Sequence, residues 1–127
     1  MTEYIEGEIP VEFLYTAGIG YEKFLKELMN EKIIGGRCKK CNFTYVPARI
    51  YCERCFSDLE MVEVGKKGIL YTYTIVDESI DGKKLEKPII IGAIKLRGAD
   101  TLFIHKLYSE NEKDIRIGIE VEAEFKE

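Results

Sequence analysis

The distribution of cysteine limits the fold of this 127-residue chain more than any other feature. All four cysteines lie in two Cys-x-x-Cys pairs: Cys38, Cys41, Cys52 and Cys55. Each pair places two thiolates on one tight turn, and two such turns can converge on one Zn²⁺ ion, which binds four sulfurs at about 2.3 Å in a tetrahedron. The ten residues between the pairs, 42–51, are long enough for a strand, a turn at Pro47 and a returning strand. The spacing therefore predicts a zinc ribbon over residues 35–58.

Other uses of the cysteines can be weighed against a zinc site. Structural disulfides are typical of secreted domains, but no signal-peptide pattern opens this sequence and its flanks are rich in Lys and Glu. A thioredoxin-type redox pair opens a helix, and neither pair precedes a helical pattern. Four thiolates in a tetrahedron accept iron as well as zinc, so the pattern predicts a bound metal and leaves iron open.

Charge and hydropathy limit the partners. The net charge is −4, which argues against a protein that binds nucleic acid with its whole surface, because phosphate binding needs cations. No apolar run reaches the roughly 18 residues of a membrane-spanning helix. We therefore expect a soluble, cytoplasmic protein that has no membrane partner and does not depend on nucleic acid.

The positive charge is concentrated around the cysteines. Five cations lie between positions 37 and 54: Arg37, Lys39, Lys40, Arg49 and Arg54. Glu53 is the one acid there, so this stretch carries +4 and the rest of the chain −8. These cations can offset the negative charge of four thiolates around one divalent ion, or they can bind an anionic partner.

The rest of the chain divides into an N-terminal part, 1–34, and a C-terminal part, 59–127. Residues 1–17 are broken by Gly7 and Pro10, which predicts an extended arm. Apolar residues recur at helical spacing from Tyr21 to Met29, which predicts a helix over 19–31.

Beyond Cys55 the apolar period becomes two, which indicates strands. Five are predicted: 59–64, 69–76, 89–96, 101–107 and 115–125. A turn at 65–68 joins the first two into a hairpin, and a polar loop spans 77–87. Gly92 marks a barrel corner, where close curvature leaves no room for a side chain. Five antiparallel strands in about 70 residues are typical of a small barrel such as the OB-fold.

One face of the predicted barrel strands is apolar and the other is charged. The residues expected to point inward are Ile90, Ile94, Ile104, Ile117, Ile119, Val121 and Phe125. Glu120, Glu122 and Glu124 alternate with the last of them and are expected to face water.

Residue types that would indicate an enzyme are scarce. His105 is the only histidine, and the sequence has no Gly-rich phosphate loop or nucleophile elbow. Four cysteines fill a tetrahedron, so a zinc ion held by all of them has no open position for substrate. We expect a protein that is not an enzyme.

The ordered combination of these features resembles a known family. In chain order the sequence has a helix, Gly-Arg-Cys-x-x-Cys at 36–41, Pro-Ala-Arg at 47–49, Cys-x-x-Cys at 52–55 and the barrel strand opening at Gly68–Thr74. This order resembles that of the acyl-CoA-associated family, which joins a rubredoxin-like zinc ribbon to an OB-fold. That family has long been catalogued as a domain of unknown function. Its members usually carry Pro-Pro-Arg where this chain has Pro47-Ala48-Arg49. They often carry Gly where this chain has Asn42 and Phe56.

The resemblance implies a mainly β protein with an N-terminal helix and a non-catalytic role. It implies an accessory subunit that joins thiolase and hydroxymethylglutaryl-CoA synthase in the early mevalonate pathway of archaea, with the five cations contacting a partner or the phosphates of acyl-CoA. Two other functions remain open. Single-stranded nucleic-acid binding suits both modules, and an iron-bound ribbon would suit rubredoxin-like electron transfer.

Overall fold

The computed structural model describes residues 2–127. Its elements are α1 (Ile19–Leu28), β1 (Ile33–Cys38), β2 (Phe43–Tyr45), β3 (Glu60–Val64), β4 (Lys67–Glu78), β5 (Lys84–Leu96), β6 (Phe103–Leu107), a short 3₁₀ helix (Glu112–Asp114) and β7 (Glu120–Glu122). The strands form two antiparallel sheets, with the orders β2-β1-β3 and β6-β5-β4-β7. The protein is thus mainly β with an N-terminal helix, as the sequence predicts.

The N-terminal part consists of an arm and α1. Residues 2–18 have no regular secondary structure and all are exposed, as expected of an extended arm, while Met1 lies outside the described residues. The predicted helix, 19–31, is three residues too long. Glu31 adopts a left-handed conformation at φ 57°, and the amide of Lys32 donates to the carbonyl of Glu27 at 3.0 Å. This turn ends α1 at Leu28 and directs the chain into β1.

The sheet of the ribbon differs from the predicted hairpin. β1 lies at its centre, with β2 on one side and β3 on the other. Beyond Pro47 the chain does not return as a strand, and residue 51 forms only an isolated bridge with Asp58. The prediction that 59–64 pairs with 69–76 is also wrong, because β3 pairs with β1 from Ile33↔Val64 to Arg37↔Glu60.

The second sheet curls as expected of an OB-type barrel, but it has four strands rather than five. β4 and β5 form one long hairpin that extends to Glu78↔Lys84 and shortens the predicted loop to residues 79–83. β7 has three residues rather than eleven. Gly92 lies at a point of close packing, as predicted, because a Cβ there would lie 2.7 Å from the side chains of Leu70 and Leu107.

The core contains most of the residues expected to point inward. Five of the seven are buried in the core or packed against it: Ile90, Ile94, Ile119, Val121 and Phe125. Ile104 and Ile117 were expected inside but are 70% and 67% exposed. Ile104 pairs with Ala93 on the opposite face of β5 from Ile94. Ile117 precedes Gly118, whose φ of 97° breaks the alternation before β7 begins.

Helix, ribbon and barrel share one apolar core. Phe24 of α1, Ile33 of β1 and Leu70 of β4 belong to a single buried cluster. The ribbon with its four cysteines, which we call the metal module, is therefore held in a fixed position against the barrel. Among residues 2–127, no helix is long and apolar enough to cross a membrane.

Candidate metal centre

The two cysteine pairs converge at one end of the ribbon. The sulfur atoms of all four lie within 4.8 Å of one another: Cys38, Cys41, Cys52 and Cys55. Sγ of Cys38 lies 3.4 Å from Sγ of Cys55, and Sγ of Cys52 lies 3.9 Å from Sγ of Cys41. A regular tetrahedron of sulfurs at zinc–sulfur bond lengths has edges of about 3.8 Å. The four cysteines are thus positioned to bind a metal, and none forms a disulfide.

Both cysteine pairs adopt the same local backbone. The residue after each second cysteine, Asn42 or Phe56, is left-handed, with φ values of 52° and 60°. The first turn is closed by a hydrogen bond from the amide of Cys41 to Sγ of Cys38 at 3.3 Å. In the second, the amide of Phe56 donates to the carbonyl of Cys52 at 2.9 Å. The left-handed conformation is costly for phenylalanine, so the second turn depends on the contacts around it.

Hydrogen bonds shift the pKa values of individual thiols in different directions. The hydroxyl of Tyr45 lies 3.4 Å from Sγ of Cys52 and, as a donor to the thiolate, lowers the pKa of Cys52 to about 6. A hydrogen bond between Cys55 and the Ser57 hydroxyl, whose oxygen lies 3.3 Å from the sulfur, lowers the pKa of Cys55. A hydrogen bond with Cys55, then burial, raises the pKa of Cys41 to about 12. Because a cysteine binds metal as the thiolate, a cation that binds these sulfurs must displace the protons that the thiols hold.

Aromatic and guanidinium groups stack along the ribbon beside the sulfurs. The Arg54 guanidinium carbon lies 4.4 Å from the Phe43 ring centroid, and that of Arg49 lies 5.0 Å from the Tyr45 centroid. The two rings are 4.9 Å apart. The two rings are tilted by 58° to each other, and together the four side chains form a row with an arginine at each end, which we call the Arg54–Phe43–Tyr45–Arg49 stack. The buried Tyr45 also contacts a cysteine, so the stack is connected to the metal centre.

The five predicted contact residues are all exposed on this module, but their partners differ. Arg37 donates to Oδ1 of Asn42 at 2.7 Å. Lys39 pairs with Glu60 at 3.8 Å, and Arg49 pairs with Glu53 at 3.4 Å. Within residues 2–127, Arg37, Lys40 and Arg54 form no ion pair. Lys39 and Lys40 border a cleft of about 350 Å³ that Asp58 and Glu60 also line, so the cleft itself is not an anion site.

The residues that join the metal module to the barrel were not predicted from the sequence. Asp100 accepts from the amide of Thr44 at 2.8 Å, and its own amide donates to the Thr44 carbonyl at 2.9 Å. The Thr101 hydroxyl accepts from the amide of Val46 at 2.9 Å. These bonds occupy the outer edge of β2. Asp100 and Thr101 lie in a turn more than fifty residues away in sequence, and no local pattern indicates the contact.

The sequence matches two described domains that together cover most of the chain. Residues 26–62 match the rubredoxin-like zinc ribbon domain of ChsH2, and residues 61–126 match the C-terminal OB-fold domain of ChsH2. The first match contains all four cysteines.

Two archaeal relatives carry the name DUF35 domain-containing scaffold protein. The protein from Methanocaldococcus jannaschii is 30% identical over 96 residues, which cover 74% of this chain and 67% of the relative. The protein from Methanothermobacter thermautotrophicus is 25% identical over 96 residues, covering 74% of this chain and 71% of the relative.

Two solved structures share the fold. A DUF35-family protein of unknown function from Sulfolobus solfataricus superposes with a TM-score of 0.68 and 33% identity, over 80% of this chain and 74% of that one. The Ltp2–ChsH2(DUF35) aldolase superposes with a TM-score of 0.66 over 83% of this chain and 82% of that one, and its 21% identity supports the fold alone. The chain is therefore a member of the ChsH2-type DUF35 family, in which a rubredoxin-like zinc ribbon precedes an OB-fold domain.

Proposed function

We propose that this protein is a non-catalytic scaffold subunit that joins thiolase and hydroxymethylglutaryl-CoA synthase in the early mevalonate pathway. Two relatives named as scaffold proteins support the general role. The choice of these two enzymes rests on the family resemblance of the motifs at 36–41, 47–49 and 52–55.

The metal in this proposal is zinc, held by Cys38, Cys41, Cys52 and Cys55. Its role is structural, because four protein ligands leave no position for substrate. The short ribbon has few apolar residues of its own near the sulfurs, so the bound ion stabilises both turns and the stack beside them. The rigid module then presents a fixed surface to a partner.

The observation that carries the proposal is the Arg54–Phe43–Tyr45–Arg49 stack. The aromatic rings restrict two guanidinium groups to defined positions while leaving both side chains exposed. Less conformational entropy is lost when such a group binds than when a mobile lysine does. Guanidinium groups bind carboxylate or phosphate with two parallel hydrogen bonds. The stack therefore suits an acidic partner surface or the phosphates of acyl-CoA.

Binding of Arg49→Ala to purified thiolase and synthase from the source organism tests this role. For whichever of the two enzymes contacts Arg49, we expect the dissociation constant to rise by about tenfold to a hundredfold, corresponding to roughly 1–3 kcal/mol. Arg116→Ala is the matched control, since Arg116 is an exposed arginine outside the metal module. The unfolding midpoint of both variants should equal that of the wild type.

Two results would favour the other functions. Tight binding of single-stranded oligonucleotides without binding of either enzyme would indicate a nucleic-acid-binding protein. A red, redox-active preparation would indicate an iron centre that transfers electrons. Failure of both enzymes to bind the wild type would reject the scaffold proposal itself.

A further inference from the structure

The N-terminal arm, residues 2–18, exposes an unusual amount of apolar surface. Seven large apolar side chains are exposed along it: Tyr4, Ile5, Ile9, Val11, Phe13, Leu14 and Tyr15. None is buried against the remainder of residues 2–127. The arm also contains four glutamates and no lysine or arginine, so its charge of −4 equals the net charge of the whole chain. A surface that binds such a segment should be apolar and positively charged.

The barrel sheet has a surface of this kind, which we call the outer face. It comprises cross-strand neighbours on β4, β5 and β6: Thr72, Thr74, Ile91, Ala93, Ile104 and Lys106. A shallow depression of about 260 Å³ lies over the first five of them. These six include no acid, and Lys95 follows Ala93 on the same side of β5. Glu120 of β7 lies further along this side and is paired with Arg97 at 3.0 Å.

The edge strand β6 adjoins the outer face and is the best edge for an acidic strand. Of the four sheet edges, β2 is covered by Asp100 and Thr101. The other two, β3 and β7, carry glutamates that repel an acidic segment. The sequence of β6, Phe-Ile-His-Lys-Leu, contains no acid, and among residues 2–127 no strand pairs with its outer side. Its free backbone groups can add an extended segment.

The helix that follows the arm packs on the side of the barrel sheet opposite the outer face. Phe24 of α1 packs on Phe103 of β6, with ring centroids 6.0 Å apart, and Phe103 faces the core. The root of the arm is therefore on the inner side of the sheet. Only three residues separate Tyr15 from α1, and they span at most about 10 Å. An arm that stayed on its own barrel would have to turn around the β6 edge within this short connection, whereas a second copy of the chain has no such restriction.

The geometry points to a dimer in which the arm of each chain binds the outer face and β6 edge of the other. Val11–Tyr15 is rich in residues that favour strands and supplies the backbone partner for β6. Glu12 and Leu14 share one side of this added strand, where Leu14 covers Ile104 beside the depression and Glu12 lies near Lys106. The exchange is reciprocal, so one two-fold axis closes the dimer and leaves no arm unpaired.

Sedimentation equilibrium of the full chain across the micromolar range tests the dimer. We expect a concentration-dependent monomer–dimer equilibrium. The combined Phe13→Ser and Leu14→Ser change in the arm should raise the dimer dissociation constant at least about tenfold, and Ile104→Glu on the outer face should do the same. Ile80→Ser is the matched control, since Ile80 is a fully exposed isoleucine in the β4–β5 turn. Equal unfolding midpoints at a concentration where the wild type is monomeric establish that the variants remain folded.

Charge reversal tests the pairing directly. Glu12→Lys and Lys106→Glu should each weaken the dimer, and a chain with both changes should dimerise more tightly than either single variant. A wild type that is monomeric at every concentration would overturn the proposal. The proposal would also be overturned if the changes in the arm weakened the dimer but the changes on the outer face did not. If the double charge variant dimerised no more tightly than the single variants, the arm would not bind this face.

Discussion

Replacement of Leu70 by alanine measures how much the barrel depends on its central strand. Leu70 is completely buried on β4, opposite the buried Ile94 of β5. Its backbone hydrogen bonds go to the segment that leads into β7, where the amide donates to the Ile119 carbonyl at 3.0 Å and the carbonyl accepts from the Gly118 amide at 2.8 Å. The strand is therefore held in place and cannot collapse into a cavity.

The cost of Leu70→Ala follows from that restraint. Leucine-to-alanine changes in cores cost about 2–5 kcal/mol, increasing with the volume that stays empty. Gly92 lies beside the leucine and has no side chain that could fill the space. We expect the upper half of this range, which for a chain of this size lowers the melting temperature by roughly 12–20 °C.

Ile117→Ala is the comparison that makes this result informative. Ile117 was expected in the core from the alternation of the last strand, yet it is exposed, so its replacement should change the free energy of unfolding by no more than about 0.5 kcal/mol. Urea unfolding of both variants, at equal metal content, measures the difference. Equal midpoints would refute the assignment of the two residues to opposite sides of the barrel wall.

Two further predictions concern the metal and a glycine contact. Elemental analysis of the wild type should find one metal per chain. The Cys52→Ser variant should lose most of this metal together with ribbon structure, because metal binding and folding are coupled. Full metal content in this variant would contradict the four-cysteine site. Gly68→Ala should destabilise the barrel by about 1–3 kcal/mol, because the new Cβ would lie 2.5 Å from the Lys95 carbonyl oxygen. Gly7→Ala, which meets no atom within 4 Å, should leave the urea midpoint unchanged, and equal effects of the two alanines would contradict the close packing of β4 on β5.

The metal centre could be predicted from sequence because its determinants are local. A Cys-x-x-Cys turn brings two sulfurs together whatever surrounds it, and two such turns need only a short connection to meet. The stack beside the sulfurs was not predicted. Arg49 was recognised as a cation near the cysteines, but its contact with Tyr45 depends on how the chain folds after Pro47.

The alternation of apolar residues indicated strands and, for most positions, which side is buried. Alternation has no information about which strand becomes the neighbour, because any two amphipathic strands can pair. This is why β3 was expected beside β4 but lies beside β1. The error at Ile104 has a similar origin, because the neighbouring Phe103 and Ile104 of β6 are both apolar and the pattern does not indicate which of them points inward.

The sequence by itself thus determined the four cysteines that can hold a metal, the N-terminal helix, most strands and the concentration of positive charge around the ribbon. Tertiary structure alone decided which strands pair, where α1 ends, and that Asp100 and Thr101 join the ribbon to the barrel. The physical reason is the separation along the sequence over which each interaction acts. Turns, ligand spacing and periodicity act between residues a few positions apart, whereas strand order and edge contacts depend on which arrangement buries the shared core, and that involves residues distant in sequence.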